Sequence, residues 1–403
     1  MRKNILYLYL VQISNYVIPI LTLPYLLRVL GADGFGKLML SQALIQYLIL
    51  ITDFGFNFSA TKKIAQSKNQ KEIDKIYTNT LTAKIILLAL CFIVYAISAC
   101  FIELFDGIRF VTSILFLMVI GNVFYPIFLF QGIERMKSIA WVSIVSKIFM
   151  FIGLILFVHH ENDLLSAALV FAVGGLLPAA FSLSIIKKKQ YVKYNGFKLR
   201  KGIKELKDSW PLFISQISIT FYSTFNIILL GYLFTPTVVG YYAAADKLRN
   251  AVQSIFQPVQ QVVFPRINKE RNEYKNNIMK FGLAFVLFSF FIALSIFFLG
   301  KPISLVYFGS AYETSATLFK WMSILVLVIS VAIVVAQWGL ISCGYERVLT
   351  KIYIFGAVIH LCYSPFIVKT YGIYSMLGCV IFTETIVTML MITFFISKWK
   401  DIK

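Results

Sequence analysis

Eight ionisable side chains stand inside stretches that are otherwise apolar: Arg28, Asp53, Lys84, Lys147, Asp246, Lys247, Arg249 and Glu384. Charge at membrane depth is costly, so a working role is the first reading of each. Five of the eight are basic and three acidic. A cavity collecting most of them would be net cationic and would draw an anionic headgroup. Arginine grips a phosphate with paired donors, and lysine acts on it as a point charge. Asp246 and Arg249 lie one helical turn apart and are spaced for an ion pair. Asp53 and Glu384 are candidates for carrying a proton in a coupled cycle. Two structural alternatives stand beside these readings. Arg28 and Lys84, near span ends, would simply snorkel toward the interface, and Lys147, Asp246 and Arg249 would form an internal salt bridge that fixes helix packing.

No nucleophile–base pair, Gly-rich phosphate loop or metal-ligand cluster occurs at recognisable spacing, so the sequence offers no site for catalysis. His159 and His160, followed by Glu161 and Asp163, form a short stretch that reads as a solvated loop rather than a metal site, because no other loop contains a histidine. Cys91, Cys100, Cys343, Cys362 and Cys379 all fall in apolar segments without CxxC spacing and read as packing residues. Neither a metal nor a cofactor is expected, and the chain is not expected to be an enzyme.

The elements that must position these residues follow from composition. Hydrophobic residues make up 59% of 403 positions, with mean hydropathy +0.80, which is far beyond what a water-facing surface permits. The fold class expected is an all-α polytopic membrane protein of about twelve transmembrane helices. Runs such as Ile85 to Ala99 and Ile324 to Ala336 are apolar on every face, which excludes a transmembrane barrel with its strict alternation. Apolar runs place the spans near 5–30, 38–60, 79–101, 110–131, 139–158, 164–186, 209–233, 238–264, 278–299, 318–343, 350–368 and 372–397. The first reads as a retained span, since no small-residue cleavage site follows it.

On this map 28 of the 38 lysines and arginines fall at the amino terminus, in the even-numbered loops and at the carboxyl terminus. Basic residues collect on the cytoplasmic side, so both termini are expected there. The net charge of +20 is mostly this orientation signal, and no nucleic-acid-binding motif accompanies it. The nine-charge segment from Lys187 to Lys207 is the largest basic cluster and is placed to rest on anionic headgroups. It divides the chain into an expected six-helix lobe over 1–190, a basic cytoplasmic linker over 191–208 and a second six-helix lobe over 209–403.

The two halves carry an internal repeat. At an offset of 204, Gln12-Ile13-Ser14 matches Gln216-Ile217-Ser218 and Gly36 matches Gly240. Gln42, Gln46, Asp53 and Asn57 correspond at the same offset to Asp246, Asn250, Gln257 and Gln261, and all eight are polar. Their spacing lies along one face of a helix, so the second span of each half is expected to carry a polar stripe turned from lipid. Gly132-Ile133-Glu134-Arg135 matches Gly344-Tyr345-Glu346-Arg347 at an offset of 212. Six spans return each half to its starting side, so a pseudo-twofold axis along the membrane normal is expected, with the polar stripes lining a cavity between two bundles. Pro19 and Pro24 in the first span, and Pro258 and Pro265 in the eighth, are expected to bend those helices.

The opening residues Asn4 to Ala65 resemble the amino-terminal signature of Wzx-type O-antigen flippases, the polysaccharide-transporter branch of the MATE-like exporter superfamily. The resemblance is carried by Gln12, Asn15-Tyr16, Pro19, Pro24-Tyr25-Leu26, Leu30-Gly31, Phe35-Gly36, Asp53-Phe54-Gly55-Phe56-Asn57 and Ser59-Ala60-Thr61, and again by Gly132 to Arg135. It implies two six-helix lobes around a cationic lumen in the bacterial inner membrane. It also implies translocation of an undecaprenyl-diphosphate-linked oligosaccharide repeat from the cytoplasmic to the periplasmic leaflet by alternating access. The partners it implies are that substrate, membrane lipids, and the polysaccharide polymerase and chain-length machinery; nucleic acid is not among them. Charged lumen positions vary within the family, which leaves Arg28, Asp53, Asp246, Lys247 and Arg249 as candidates here. A cation-coupled small-molecule exporter on the same scaffold is the alternative, disfavoured because exporters of organic cations use acidic cavities. A membrane enzyme of polysaccharide assembly is a further alternative, but the longest outward loop, about 300–317, is too short to form a domain.

Overall fold

The structure, a computed structural model, describes residues 2–269 and 273–399, with side chains at all of these except 2–16, 215, 216, 218–223 and 269. The matched Gln12-Ile13-Ser14 and Gln216-Ile217-Ser218 therefore fall, Ile217 apart, outside the described side chains, and Arg271, Lys400 and Lys403 lie outside the described residues. Among the described residues there is no β-strand. A lipid solvent makes this unavoidable for a chain of apolar runs this long, because each backbone N–H and C=O must be satisfied within its own segment.

Among the described residues fourteen α-helices occur in order: α1 (Arg2–Asp53), α2 (Phe56–Ala65), α3 (Gln70–Phe101), α4 (Arg109–Phe124), α5 (Ile127–Gly132), α6 (Met136–Phe157), α7 (Leu164–Lys189), α8 (Leu199–Leu233), α9 (Pro236–Gln253), α10 (Phe256–Lys269), α11 (Tyr274–Phe308), α12 (Glu313–Ile333), α13 (Glu346–Tyr371) and α14 (Ile373–Lys398). A π-helical segment, Val334–Ile341, extends α12. The expected spans map onto these as α1 before Gly31, then the rest of α1 with α2, α3, α4 with α5, α6 and α7. In the second half they map onto α8, α9 with α10, α11, α12 with its π segment, α13 and α14. Nine helical segments among the described residues are long and apolar enough to cross a membrane; the first of them, Val17–Ala65, is 49 residues long.

Two compact units divide the chain, Met1–Ile217 and Ser218–Lys403. Residues 191–208, expected as a linker, are held within the first unit. The Gln70 side chain donates to Tyr191 O at 2.7 Å, and the Lys193 N–H to Asp74 Oδ1 at 3.0 Å. From Leu199 the chain is already helical, and Lys63 Nζ pairs with Glu205 Oε1 at 2.5 Å.

The second span of each unit is interrupted, and the interruption sets the register of its polar residues. In α1 the backbone turns at Gly31 (φ 65°, ψ 178°) and the helix ends at Asp53. Phe54 (φ 44°) and Gly55 (φ 75°) then separate it from α2. Gly55 suits that turn on two counts: its positive φ, and its backbone approach to α8, where a Cβ would sit 2.9 Å from Leu212 Cβ. Phe54 stacks on Phe213 at 4.2 Å between centroids. In the second unit the break falls at Ser254 and Ile255, between α9 and α10. The helix before it, at 18 residues, is four shorter than residues 32–53. The offset is thus 204 at the start of this span and 200 at its break, a difference of about one helical turn, which leaves the stripe on the same face. Asn57, Gln257 and Gln261 lie beyond the breaks, so neither polar stripe runs on one unbroken helix as the spacing alone implied.

The G-x-E-R copies are also out of register. At the first, Glu134 takes the left-handed conformation (φ 57°) and the Arg135 N–H bonds Phe130 O at 2.7 Å. At the second, Gly344 (φ 81°) does so, and the Tyr345 N–H bonds Leu340 O at 2.9 Å. The same helix-ending turn therefore recurs 210 residues on, two short of the sequence match. Gly132 serves close packing instead, since a Cβ there would lie 2.5 Å from Ile64 Cγ2.

Candidate functional site

In the first unit, Asp53 is the last residue of α1, held there by the break that follows. Lys84, halfway along α3, reaches its Oδ1 at 3.0 Å and donates also to Asn122 O on α4 at 3.2 Å. Asn122 Nδ2 donates to the same Asp53 oxygen at 3.1 Å and to Thr52 Oγ1 at 3.4 Å. Lys84 is 1% exposed and the Asp53 side chain 27%. The alternative in which Lys84 snorkels does not hold: its ammonium is buried, held between Asp53 of α1 and Asn122 of α4 and neutralised by Asp53. With a desolvated cation 3.0 Å away, Asp53 is an ion-pair partner first.

The other candidates of this unit are arranged along α1, α2 and α6. Gln42 is half-buried, and its Nε2 has no hydrogen-bond partner among the described residues; the same is true of Asn57 Oδ1. Gln46 and Arg28 are exposed on α1. Lys147, on α6, is half-buried and forms no ion pair among the described residues. Of the expected internal salt bridge, Asp246 and Arg249 are paired within α9, and Lys147 takes no part.

In the second unit Asp246 and Arg249 of α9 form a network with Asn250 and Gln253 on one helix face. Arg249 Nη2 lies 2.6 Å from Asp246 Oδ1 and donates to Asn250 Oδ1 at 2.9 Å. Asn250 Nδ2 returns a hydrogen bond to Asp246 Oδ2 at 2.9 Å, and Arg249 Nη1 donates to Gln253 Oε1. All four residues fall at i, i+3, i+4 and i+7, the spacing that brings side chains together on a helix. Lys247 is exposed on α9, where the Asp246 carboxylate acts on it, and Gln257 and Gln261 are exposed on α10. Glu384 is buried on α14.

A second polar cluster in this unit was missed from sequence. His360, on α13, is 0% exposed. Its Nε2 lies 2.9 Å from Asn226 Oδ1 on α8, and its Nδ1 2.7 Å from Thr383 Oγ1 on α14. The Tyr363 hydroxyl lies 2.8 Å from Thr383 Oγ1 and donates to Cys379 O at 2.6 Å. The signal was present: a histidine in the span 350–368 is ionisable at membrane depth, by the same rule that selected the other eight.

The two ion pairs take two basic and two acidic members of the membrane-depth set, which as a whole holds five basic groups to three acidic. Pairing removes equal numbers of each sign, so the cationic excess survives. No group of three or more metal-binding side chains occurs among the described residues. Asp163 Oδ2 instead caps the backbone N–H groups of His159 and His160, at 2.8 and 2.9 Å.

Comparison with known proteins adds three findings. Residues 1–270 match the family model described as "Polysaccharide biosynthesis protein". A Shigella dysenteriae protein named "Putative O-antigen transporter" is 34% identical over 97% of this chain and 99% of its own length. An Escherichia coli (strain K12) protein of the same name is 29% identical over 98% and 96%. Among solved structures, the lipid II flippase MurJ in an inward-closed conformation superposes with TM-score 0.80 at 15% identity, covering 96% of this chain and 87% of that one. An inward-facing multidrug resistance transporter of the MATE family gives 0.68 at 11% identity, covering 96% and 98%. These two likenesses are of fold.

Proposed function

The chain belongs to the polysaccharide biosynthesis protein family, and from that membership we propose that it is a flippase moving undecaprenyl-diphosphate-linked O-antigen or related surface-polysaccharide repeat units across the bacterial inner membrane. It is a transporter rather than an enzyme. The direction proposed is from the cytoplasmic to the periplasmic leaflet, by alternating access, with both termini cytoplasmic. The chain would hand its product to polysaccharide polymerase and chain-length machinery.

The observation that carries this reading is the charge balance at membrane depth. Ionisable groups persist in apolar helices, and the basic ones outnumber the acidic by five to three, which suits a diphosphate and opposes an organic cation. In this reading Arg28, Lys147, Lys247 and Arg249 meet the diphosphate. The neutral polar groups of Gln42, Gln46, Asn57, Asn250, Gln257 and Gln261 meet sugar hydroxyls, and the prenyl tail stays in lipid. Asp246 holds Arg249 until phosphate replaces it. Asp53 and Glu384 remain the candidates for proton coupling.

The test is the leaflet distribution of the lipid-linked oligosaccharide in a strain lacking this protein, restored with wild type, Arg28→Ala, Lys147→Ala or Arg249→Ala at equal membrane abundance. Accumulation in the cytoplasmic leaflet, relieved by wild type and not by the variants, is expected. If the intermediate reaches the periplasm normally without the protein, the flippase reading is wrong.

A further inference from the structure

Where α2, α3 and α8 converge in the first unit, a cavity of about 410 Å³ opens, lined by lysines and carboxylates. The carboxylates are each engaged within the protein. Lys63 Nζ lies 2.5 Å from Glu205 Oε1, which is buried, and 3.2 Å from Asp208 Oδ2. Glu72 accepts from the Lys68 N–H at 3.0 Å and from Asn69 Nδ2 at 3.2 Å, as part of the cap that starts α3. Lys75, on α3, and Lys201 and Lys204, on α8, also line the cavity and form no ion pair among the described residues.

Four lysines and three carboxylates line this space, so the lining is cationic by one charge, and Lys75, Lys201 and Lys204 face it from two helices without an acid in contact. Like charges set around a cavity repel, and an anion between them removes that cost. Asn79 adds a neutral polar group to the lining, one turn from Lys75. The cavity lies at the end of the unit where the basic segments collect, and it uses none of the membrane-depth residues assigned to transport.

We infer that this cavity binds a phosphate-bearing group, held by Lys75 from one wall and by Lys201 and Lys204 from the other. Ammonium groups on flexible stems recognise phosphate as point charges, without the fixed bidentate geometry of arginine. The phosphate comes either from a membrane phospholipid headgroup or from a soluble phosphate compound. Its binding braces the polar start of α8 against α2 and α3. There Ser59 Oγ and Ser209 Oγ are 2.8 Å apart, and Gly202 lets the α8 backbone approach Ala83 N, which a Cβ would meet at 3.2 Å.

The full-length protein in detergent is titrated with phosphatidylglycerol and, separately, with inorganic pyrophosphate, and bound adducts are counted by native mass spectrometry. Lys75→Gln/Lys201→Gln/Lys204→Gln is compared with Lys62→Gln/Lys71→Gln/Lys207→Gln, which removes the same charge from exposed lysines outside the cavity. The cavity variant is expected to lose affinity on the order of a hundredfold and the control less than about threefold. Loss seen with phosphatidylglycerol assigns the site to a lipid headgroup; loss seen with pyrophosphate assigns it to a soluble ligand. If the triple variant melts early, Lys204→Gln alone is expected to lose about fivefold. Equal losses in both triple variants, no loss in the cavity variants, or no binding of either probe by wild type overturns the proposal.

Discussion

Removing either partner of the Asp53–Lys84 pair strands the other, and the structure says which removal costs more. Lys84 is 1% exposed, so Asp53→Ala leaves an ammonium with only Asn122 O for company. Breaking a buried pair in this way costs about 3–5 kcal/mol. Lys84→Met leaves the Asp53 carboxylate, whose side chain is 27% exposed and still accepts from Asn122 Nδ2. Partial solvation lowers that cost, to about 1–3 kcal/mol. Asp53→Ala/Lys84→Met removes both charges together and should be more stable than Asp53→Ala alone, by about 2 kcal/mol or more. The assay is thermal unfolding in detergent followed by thiol labelling, for which buried Cys91 and Cys379 act as reporters. A double variant as unstable as the sum of the two single variants would refute the account, because the pair would then contribute nothing through mutual neutralisation.

Two further outcomes follow from geometry in each unit. His360→Leu leaves Asn226 and Thr383 without their ring partners, a loss of about 2–3 kcal/mol measured by the same thermal assay, with His360→Gln recovering part of it. Gly121→Ala sets a Cβ 2.2 Å from Gly175 O. Backbone cannot yield there as a side chain can, so a cost of about 3 kcal/mol or more should appear as lost monodisperse protein after detergent extraction.

Fold class was legible because a lipid solvent imposes a one-dimensional signal: apolar runs long enough to cross, with charges between them. The candidate residues were legible by the same rule, as exceptions to it. Their partners were not. The pattern that puts Asp53 on a helix face says nothing of Lys84 thirty-one residues away, and that contact depends on how α1, α3 and α4 pack. The breaks at Gly55 and at Ser254 were hidden for a related reason. Helical periodicity runs straight through a one-turn slip, so an offset of 204 and one of 200 give nearly the same face. Snorkelling stood open for Lys84 because distance from a span end in sequence does not measure enclosure by neighbouring helices. His360 was overlooked although the rule that found Glu384 applied to it equally.

The two ion pairs also differ in what they can do, and the difference follows from where their members sit. Asp53 and Lys84 belong to different helices, so their pair ties α1 to α3, with Asn122 joining α4. Releasing it to bind a substrate would leave the fully enclosed Lys84 ammonium uncompensated and loosen the bundle. Asp246 and Arg249 sit at i, i+3 on one helix. The pair itself lies within one helix, and the guanidinium also feels the Glu384 carboxylate of α14, so exchanging the Asp246 carboxylate for a phosphate leaves that second acid in place. The guanidinium keeps a charge-assisted partner throughout, which makes the exchange close to balanced. Arg249 is therefore the better candidate for substrate contact and Lys84 for architecture. The prediction is a split in readouts: Arg249→Ala, which strands Asp246 at 21% exposure and costs about 1–3 kcal/mol, should impair translocation far beyond that stability loss, whereas Lys84→Met should lose translocation only in step with stability. The reverse pattern would move the substrate contact to the first unit.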